Sequence, residues 1–215
     1  MERKYILFDL DGTLTDPMMG ITKSVRYALN YYGISVDDLK ELLPFIGPPL
    51  RDSFKEFYGF DEDKANEAVI KYREYFATEG IFDNKVYKGI PECLQTLKDA
   101  GKVLLVATSK PEKFAKQIIE YFDLAKYFDF IGGSEFNSRE KKADVINYVL
   151  KNNHLNAIDV IMVGDRKHDI IGAHKNSLPC VGVLYGYGSL EELTEYQADY
   201  LVETVDKLTS QLLKL

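Results

Sequence analysis

Two kinds of hydrophobic pattern alternate along most of this chain. Short continuous apolar runs, rich in β-branched and aromatic residues, predict strands that are buried on both faces. These runs lie at residues 5–8, 102–107, 128–131, 160–163, 180–184 and 200–202. The segments between them space their apolar residues as helices do, and they lie at 91–100, 111–121, 139–152, 170–175, 190–194 and the C-terminal end. Strand alternating with helix predicts a parallel sheet with right-handed crossovers.

The stretch 16–85 differs, because its apolar residues have helical spacing throughout and no strand pattern interrupts them. Gly33 and Gly59 each follow a helical segment, as helix stops do. The sequence therefore predicts an α/β core of residues 1–15 and 86–215, built on a doubly wound parallel sheet. It also predicts a small all-helical domain inserted after the first strand.

The composition suits a globular protein and argues against two classes of partner. Hydrophobic residues make up 46% of the 215 residues, which is ample for a packed core. The net charge is −7 without a basic cluster, so we expect no nucleic-acid polymer as partner. No apolar stretch approaches the ~18 residues of a membrane span, and the first run is too short for a signal peptide. We therefore expect a cytoplasmic protein with no membrane partner.

Two acids follow the first predicted strand directly, in the segment Asp9-Leu10-Asp11-Gly12-Thr13. Open α/β sheets bind ligands at the carboxyl ends of their strands, and a glycine there lets the backbone bend sharply. A solvated turn is the alternative, because Asp and Gly favour turns. Such a turn does not need an acid on both sides of Leu10, so we expect Asp9 and Asp11 to face one cavity.

Polar residues also follow the predicted strand at 102–107, in the order Thr108-Ser109-Lys110. Hydroxyl and backbone N–H groups at a strand end can hold phosphoryl oxygens. Taken alone, the same residues are more typical of helix N-caps. They indicate a phosphate site only when they lie beside Asp9, at another strand end of the same sheet.

The predicted strand at 160–163 runs into Gly164 and Asp165, and Asp169 follows four residues later. Carboxylates four residues apart at the start of a helix lie on one face. Together with Asp9 they would supply the oxygen ligands that Mg²⁺ prefers, with water completing the octahedral shell. The alternative interpretation makes Asp169 a helix cap.

These motifs, in this order, resemble those of the haloacid dehalogenase (HAD) superfamily, most of whose members are phosphatases with a Rossmann-like core. The resemblance covers the core from residue 5 to residue 175. It implies that Asp9 attacks phosphorus and forms an aspartyl-phosphate, and that Asp11 protonates the leaving group and then activates water. Because a halide leaves without a proton, the acid at Asp11 favours phosphoryl transfer over dehalogenation.

The resemblance also implies a Mg²⁺ ion and a set of charge-neutralising groups. The implied metal ligands are Asp9, Asp11 through its backbone carbonyl, Asp165 and Asp169, and the implied phosphate contacts are Thr108, Gly12, Ser109 and Lys110. A lysine near the start of the helix at 139–152 should balance the charge of the nucleophile. Many relatives carry it before a proline, which this chain lacks, and the assignment falls on Lys142 with Lys141 as the alternative.

The inserted domain should select the substrate, because the core is expected to contact mainly the phosphate group. Arg51, in the segment Ile46-Gly47-Pro48-Pro49-Leu50-Arg51, is a candidate anion contact, with a surface arginine as the equal alternative. The stretches 164–169 and 186–193 resemble the phosphoglycolate phosphatase-like group that includes proteins labelled 5′-nucleotidases. We therefore expect a small soluble phosphomonoester as substrate, either phosphoglycolate or a nucleoside monophosphate.

Two other reactions of the superfamily are weaker alternatives. A phosphomutase of the β-phosphoglucomutase type, an isomerase, uses the same two aspartates, but it would need groups in the inserted domain that retain a bisphosphate intermediate. Residues 16–85 contain no histidine for this purpose. A phosphonate-cleaving enzyme would need a Schiff-base lysine, for which Lys23 has no supporting context.

Overall fold

The computed structural model describes residues 3–135 and 138–215. The chain separates into two compact units, one formed by Met1–Asp16 with Val86–Leu215 and the other by Pro17–Lys85. In the part of the chain that is described, no helix is long and apolar enough to cross a membrane.

Strands and helices alternate as the apolar pattern predicts. The strands are β1 (Tyr5–Phe8), β2 (Thr15–Asp16), β3 (Lys85–Val86), β4 (Val103–Pro111), β5 (Phe130–Ser134), β6 (Val160–Gly164), β7 (Cys180–Val183) and β8 (Tyr200–Val202). The α-helices are α1 (Met18–Tyr31), α2 (Leu50–Tyr58), α3 (Glu62–Tyr75), α4 (Ile90–Asp99), α5 (Glu112–Tyr121), α6 (Lys142–Asn152), α7 (Lys167–Lys175), α8 (Leu190–Glu195) and α9 (Val205–Leu212). Shorter 3₁₀ segments are Leu39–Phe45, Ala125–Tyr127 and Ala157–Asp159, and a π-helical turn, Phe76–Gly80, follows α3.

Six strands form one parallel sheet in the order β5-β4-β1-β6-β7-β8. Strand β1 is central: Phe8 is level with Val106 of β4 on one side and with Val163 of β6 on the other. The strand order reverses at β1, and α/β sheets bind ligands in the crevice at such a point. The predicted doubly wound α/β class is confirmed.

Burial explains why β1 and β6 lie in the middle of this sheet. Ile6, Leu7 and Phe8 have no exposed surface, and all of β6 is buried. Fully burying a side chain of this size stabilises the fold by roughly 1.5–3 kcal/mol. Helices α6 and α7 cover one face with an apolar cluster that includes Leu7, Leu105, Val145, Ile146, Met162 and Ile170. The ends of these strands are therefore held rigidly.

The unit Pro17–Lys85 contains α1, α2 and α3, and its helix ends follow from local chemistry. Asp38 and Asp61 each accept a hydrogen bond from a backbone N–H of the turn that they begin, at 2.9 and 2.8 Å, so both are N-caps. Gly59 ends α2 in the left-handed conformation, with φ of +64°. That this unit acts as a cap over the core stays a prediction.

The main difference from the predicted elements is the start of α6. The pattern predicted a helix from residue 139, whereas α6 begins at Lys142. Arg139 instead forms a backbone bridge with Glu135 and an ion pair with Glu112 at 2.6 Å. The charged run at 139–142 has no apolar spacing that would place the helix start, so the prediction was wrong there. Strands β2 and β3 were also missed, because two residues are too few to show a period.

Candidate active site

The first acid, Asp9, directly follows β1 and continues its ladder. Its backbone N–H donates to the carbonyl of Val163 at 2.9 Å, so the β1–β6 pairing fixes its backbone. Its Oδ1 accepts a hydrogen bond from the backbone N–H of Leu10 at 2.7 Å. The residue is 6% exposed, so the carboxylate lies in a largely water-excluded position at the strand end.

Three carboxylates meet at this strand end. Asp9, Asp165 and Asp169 each offer an oxygen, and these oxygens lie within 4.8 Å of one another. Asp165 follows β6 and Asp169 lies in the first turn of α7, and both are buried. Asp169 also accepts a hydrogen bond from the backbone N–H of Arg166 at 3.0 Å, so it closes the start of α7 as well as joining the cluster.

Lys142 is buried against these acids. Its Nζ lies 2.8 Å from Asp9 Oδ1 and 2.7 Å from Asp169 Oδ1, and it donates to the carbonyl of Ala107 at 3.2 Å. Three acceptors therefore surround the ammonium group. Lys141, the alternative in the sequence, is exposed and precedes the helix as its N-cap residue.

The electrostatics of the cluster suit a divalent cation. Burial and the neighbouring carboxylates raise the pKa of Asp165 well above its usual value and that of Asp169 to about 6, although Lys142 opposes the rise at Asp169. Burial lowers the pKa of Lys142, but the paired acids outweigh it and the net direction is upward. Asp165 Oδ1 is buried without a hydrogen-bond partner among the described residues. An oxygen so placed, in an all-carboxylate set, fits a hard cation such as Mg²⁺.

The second acid of the first motif has a different partner. Asp11 Oδ2 lies 2.5 Å from Lys110 Nζ, and the two side chains are 13% and 5% exposed. Burial raises the pKa of Asp11, while the Lys110 ammonium opposes the rise. A raised pKa favours a group that must carry a proton for part of a reaction cycle.

The hydroxyls near the end of β4 are not helix caps. Helix α5 has Pro111 at its N-cap position, with no side-chain capping bond. Thr108 is 1% exposed, and its Oγ1 accepts a hydrogen bond from the backbone N–H of Lys110 at 3.2 Å. Ser109 is partly buried within β4. The cap interpretation is therefore excluded for these residues, and their contact with phosphate stays a prediction.

Gly12 makes room for the acids. Its φ is +83°, and a Cβ on it would lie 2.1 Å from Asp165 Oδ2. Any other residue would be strained and would displace that carboxylate. The glycine brings the turn after β1 up to the end of β6.

The two candidate residues of the inserted unit pair locally. Arg51 Nε lies 3.5 Å from Glu62 Oε1, and Lys23 Nζ lies 2.6 Å from Asp83 Oδ2. Both ion pairs are formed within the unit Pro17–Lys85. The predicted anion contact of Arg51 stays a prediction.

Sequence reasoning missed two contacts of the site. One is the Lys110–Asp11 ion pair, which joins residues 99 positions apart and leaves no local pattern. The other is a hydrogen bond from the backbone N–H of Tyr187 to Asp165 Oδ2, at 2.7 Å. The glycines on both sides of Tyr187 were the available signal, because they mark close backbone approach.

Comparison with characterised proteins places this geometry in a known group. The sequence model of the haloacid dehalogenase-like hydrolase family matches residues 6–183 of this chain. A 5′-nucleotidase of Pseudomonas aeruginosa is 49% identical over 89% of this chain and 87% of its own. The tyrosine-protein kinase PtkA of Mycobacterium tuberculosis is 35% identical over 96% and 72%. A phosphoglycolate phosphatase of Vibrio parahaemolyticus is 28% identical over 95% and 94%.

The fold has an equally close counterpart among solved structures. The crystal structure of a predicted phosphatase from Clostridium acetobutylicum superposes with a TM-score of 0.97 at 52% identity, covering 100% of both chains. The chain therefore belongs to the haloacid dehalogenase-like hydrolase family.

Proposed function

We propose that this protein is a Mg²⁺-dependent phosphatase that hydrolyses a small soluble phosphomonoester through an aspartyl-phosphate. The observation that carries the proposal is the meeting of Asp9, Asp165, Asp169 and Lys142 at one strand end. Such a site holds a carboxylate nucleophile, ligands for a cation and a fixed positive charge together. The family to which the chain belongs supports the same reaction class.

In the proposed mechanism, Asp9 attacks the phosphorus atom in line, and the alkoxide of the substrate leaves. Asp11 gives its proton to that oxygen and later takes one from the water that hydrolyses the aspartyl-phosphate. Lys142 and the backbone near Thr108 stabilise the negative charge on the phosphoryl oxygens. A Mg²⁺ ion held by Asp9, Asp165 and Asp169 would offset the repulsion between the nucleophile and the phosphate dianion.

A nucleoside 5′-monophosphate is the substrate that we propose first. The support is the 5′-nucleotidase at 49% identity, compared with 28% for the phosphoglycolate phosphatase. The inserted unit Pro17–Lys85, which we propose as the cap, would supply the contacts that distinguish the two. Phosphoglycolate is the second candidate, supported by the resemblance of residues 164–169 and 186–193.

The decisive experiment measures phosphate release from a panel of nucleoside monophosphates, phosphoglycolate and sugar phosphates, with Mg²⁺ and with EDTA. We expect release that requires Mg²⁺ and is fastest with a 5′-nucleotide. Activity only after addition of a sugar bisphosphate would instead indicate a phosphomutase. Transfer of a phosphoryl group from ATP to tyrosine, without release of inorganic phosphate, would indicate a kinase.

The matched variant for this experiment is Asp9→Asn, which preserves shape and removes the nucleophile. We expect its turnover to fall by about 10³-fold or more, since losing a nucleophile removes the whole covalent route. Lys141→Met, at an exposed neighbouring site, is the control and should retain full activity. Full turnover in Asp9→Asn would overturn the proposed mechanism.

A further inference from the structure

The segment Gly186–Gly188, here called the glycine loop, has no role in the mechanism above. It follows β7, and Ser189 after it caps α8 by accepting a hydrogen bond from the backbone N–H of Glu192 at 3.1 Å. In the sequence it served only to indicate a group within the family. In the structure it lies directly against a proposed cation ligand.

The glycine loop forms a hydrogen bond with one carboxylate oxygen of Asp165 and not with the other. The backbone N–H of Tyr187 donates to Asp165 Oδ2 at 2.7 Å. Asp165 Oδ1, on the same carboxylate, is buried and has no hydrogen-bond partner among the described residues. The bond to Oδ2 therefore fixes the rotation of the carboxylate about its terminal torsion, which is otherwise broad. In this rotation Oδ1 is the oxygen available to a cation.

The approach of the loop is close enough to require both glycines. A Cβ on Gly186 would lie 2.3 Å from the Gly12 carbonyl oxygen and 2.4 Å from Asp165 Cβ. A Cβ on Gly188 would lie 1.9 Å from the Asp165 carbonyl oxygen. Space, rather than an unusual φ angle, excludes side chains here, since neither glycine is among the positive-φ residues.

The side chain of Tyr187 ties the loop to the segment after β1. Its hydroxyl donates a hydrogen bond to Asp16 Oδ1 in β2. Two residues earlier, the Tyr185 hydroxyl donates to the carbonyl of Thr13 at 3.1 Å. Only the first of these two bonds belongs to the residue whose amide contacts Asp165. Tyr187 therefore belongs to the segment that contacts Asp165 through its amide, whereas Tyr185 makes a similar hydroxyl bond and serves as a comparison.

We propose that Tyr187 is a positioning residue for the cation site: its amide selects the Asp165 orientation that presents Oδ1, and its hydroxyl bond to Asp16 holds that amide in place. The inference rests on the proposed function, because it concerns the same cation. It assigns a share of cation affinity to a hydroxyl group that is not itself a proposed ligand. Groups that orient metal ligands commonly contribute in this way.

The test is the affinity of the metal-free full-length protein for Mg²⁺, measured by titration calorimetry. We expect Tyr187→Phe to weaken binding by about 10-fold, in the range found for groups that orient metal ligands. Asp16→Ala should weaken it similarly, and the double variant no further than either single one, because both remove the hydrogen bond between Tyr187 and Asp16. Tyr185→Phe is the matched control and should bind Mg²⁺ as the wild type does.

Chemical unfolding in EDTA separates positioning from stability, since a purely structural role would lower stability in both tyrosine variants and leave the affinity unchanged. Wild-type affinity in Tyr187→Phe, or an equal loss in Tyr185→Phe, would overturn the inference. Asp165→Asn distinguishes this outcome from failure of the proposed function. If Asp165→Asn loses Mg²⁺ and Tyr187→Phe does not, only the positioning role is wrong, whereas unchanged binding in Asp165→Asn removes the cation site itself.

Discussion

Carboxylates and lysine ammonium groups lie on both sides of strand β1, but in different proportions. On the side of β6, which we call the cation side, three carboxylates, Asp9, Asp165 and Asp169, lie together, and the ammonium of Lys142 pairs with two of them, Asp9 and Asp169. On the side of β4, the proton-transfer side, one carboxylate, Asp11, is paired with the ammonium of Lys110 at 2.5 Å. Among these named groups, the first side keeps a surplus of negative charge, whereas the Asp11–Lys110 pair is neutral when both groups are ionised.

This difference supports the roles that we propose for the two sides. A surplus of buried carboxylate is costly in the absence of a cation, and a divalent ion removes that cost. A neutral pair at hydrogen-bond distance instead holds a single acid in one place, where it can exchange a proton with the leaving group. We therefore propose that Lys142 balances the charge of the proposed nucleophile, Asp9, and that Lys110 orients Asp11. Variants of the two lysines test this comparison directly.

The largest effect is expected for Lys142→Met. Removing one partner of a buried ion pair leaves uncompensated charge and typically costs about 3–5 kcal/mol. We expect a loss of that size in the free energy of unfolding in EDTA, and turnover reduced by about 10³-fold because the nucleophile and phosphoryl charges lose their partner. Urea unfolding and phosphate release measure the two effects. Lys141→Met, one residue away and exposed, should change neither quantity, and an equal effect there would contradict the assignment to Lys142.

A smaller and more selective effect is expected for Lys110→Met. Asp11 should lose its fixed orientation, and turnover of alkyl phosphates should fall by about 10²-fold, the lower end of the range of about 10²–10⁴-fold for general acid–base catalysis. In p-nitrophenyl phosphate the leaving group, p-nitrophenolate, needs no proton, so the first step should slow much less with this substrate, whereas the second step, in which Asp11 activates water, is common to both. The measurement is the ratio of the two first-step rates, each taken from a single turnover with excess enzyme.

The control for that ratio is Lys113→Met, on the exposed surface of α5, which should leave it unchanged. Equal losses with both substrates in Lys110→Met would show that Lys110 binds phosphate, as the sequence alone suggested, and does not orient the acid.

How far the sequence predicts this site follows from where each contact lies along the chain. Runs such as 5–8 and 160–163 are apolar because the sheet buries both faces, so they mark their own positions and those of the acids that follow. The start of α6 at Lys142 has no such marker, because neighbouring charged residues show no period. The Asp11–Lys110 pair depends on the register of β1 with β4, and no local sequence pattern predicts that register.

The smallest expected effect is on the free energy of unfolding, which the ionised carboxylates of the cation side should lower when no cation is bound. The pKa of Asp165 is raised in the folded protein by burial and by Asp169 and Asp9, while the hydrogen bond from the Tyr187 amide and the charge of Arg166 oppose the rise. Ionising Asp165 is therefore harder in the folded than in the unfolded chain, so the metal-free protein should lose stability as pH rises above the ordinary aspartate pKa of about 3.9. Asparagine cannot ionise, and its amide oxygen can still accept the hydrogen bond from Tyr187.

Asp165→Asn should therefore stabilise the metal-free protein, with little gain near pH 4 and a gain that grows as the pH rises to 8. Chemical unfolding in EDTA across this pH range measures the gain, and Asp144→Asn, an exposed acid in the first turn of α6, should show none. Added Mg²⁺ should reverse the order, because a ligand at 100 times its Kd stabilises the wild type by about 2.7 kcal/mol and the variant lacks the site. A variant that is less stable than the wild type at pH 8 in EDTA would show that the carboxylates do not repel one another. The surplus of charge on the cation side would then have no energetic meaning, and the contrast with the neutral pair at β4 would fail.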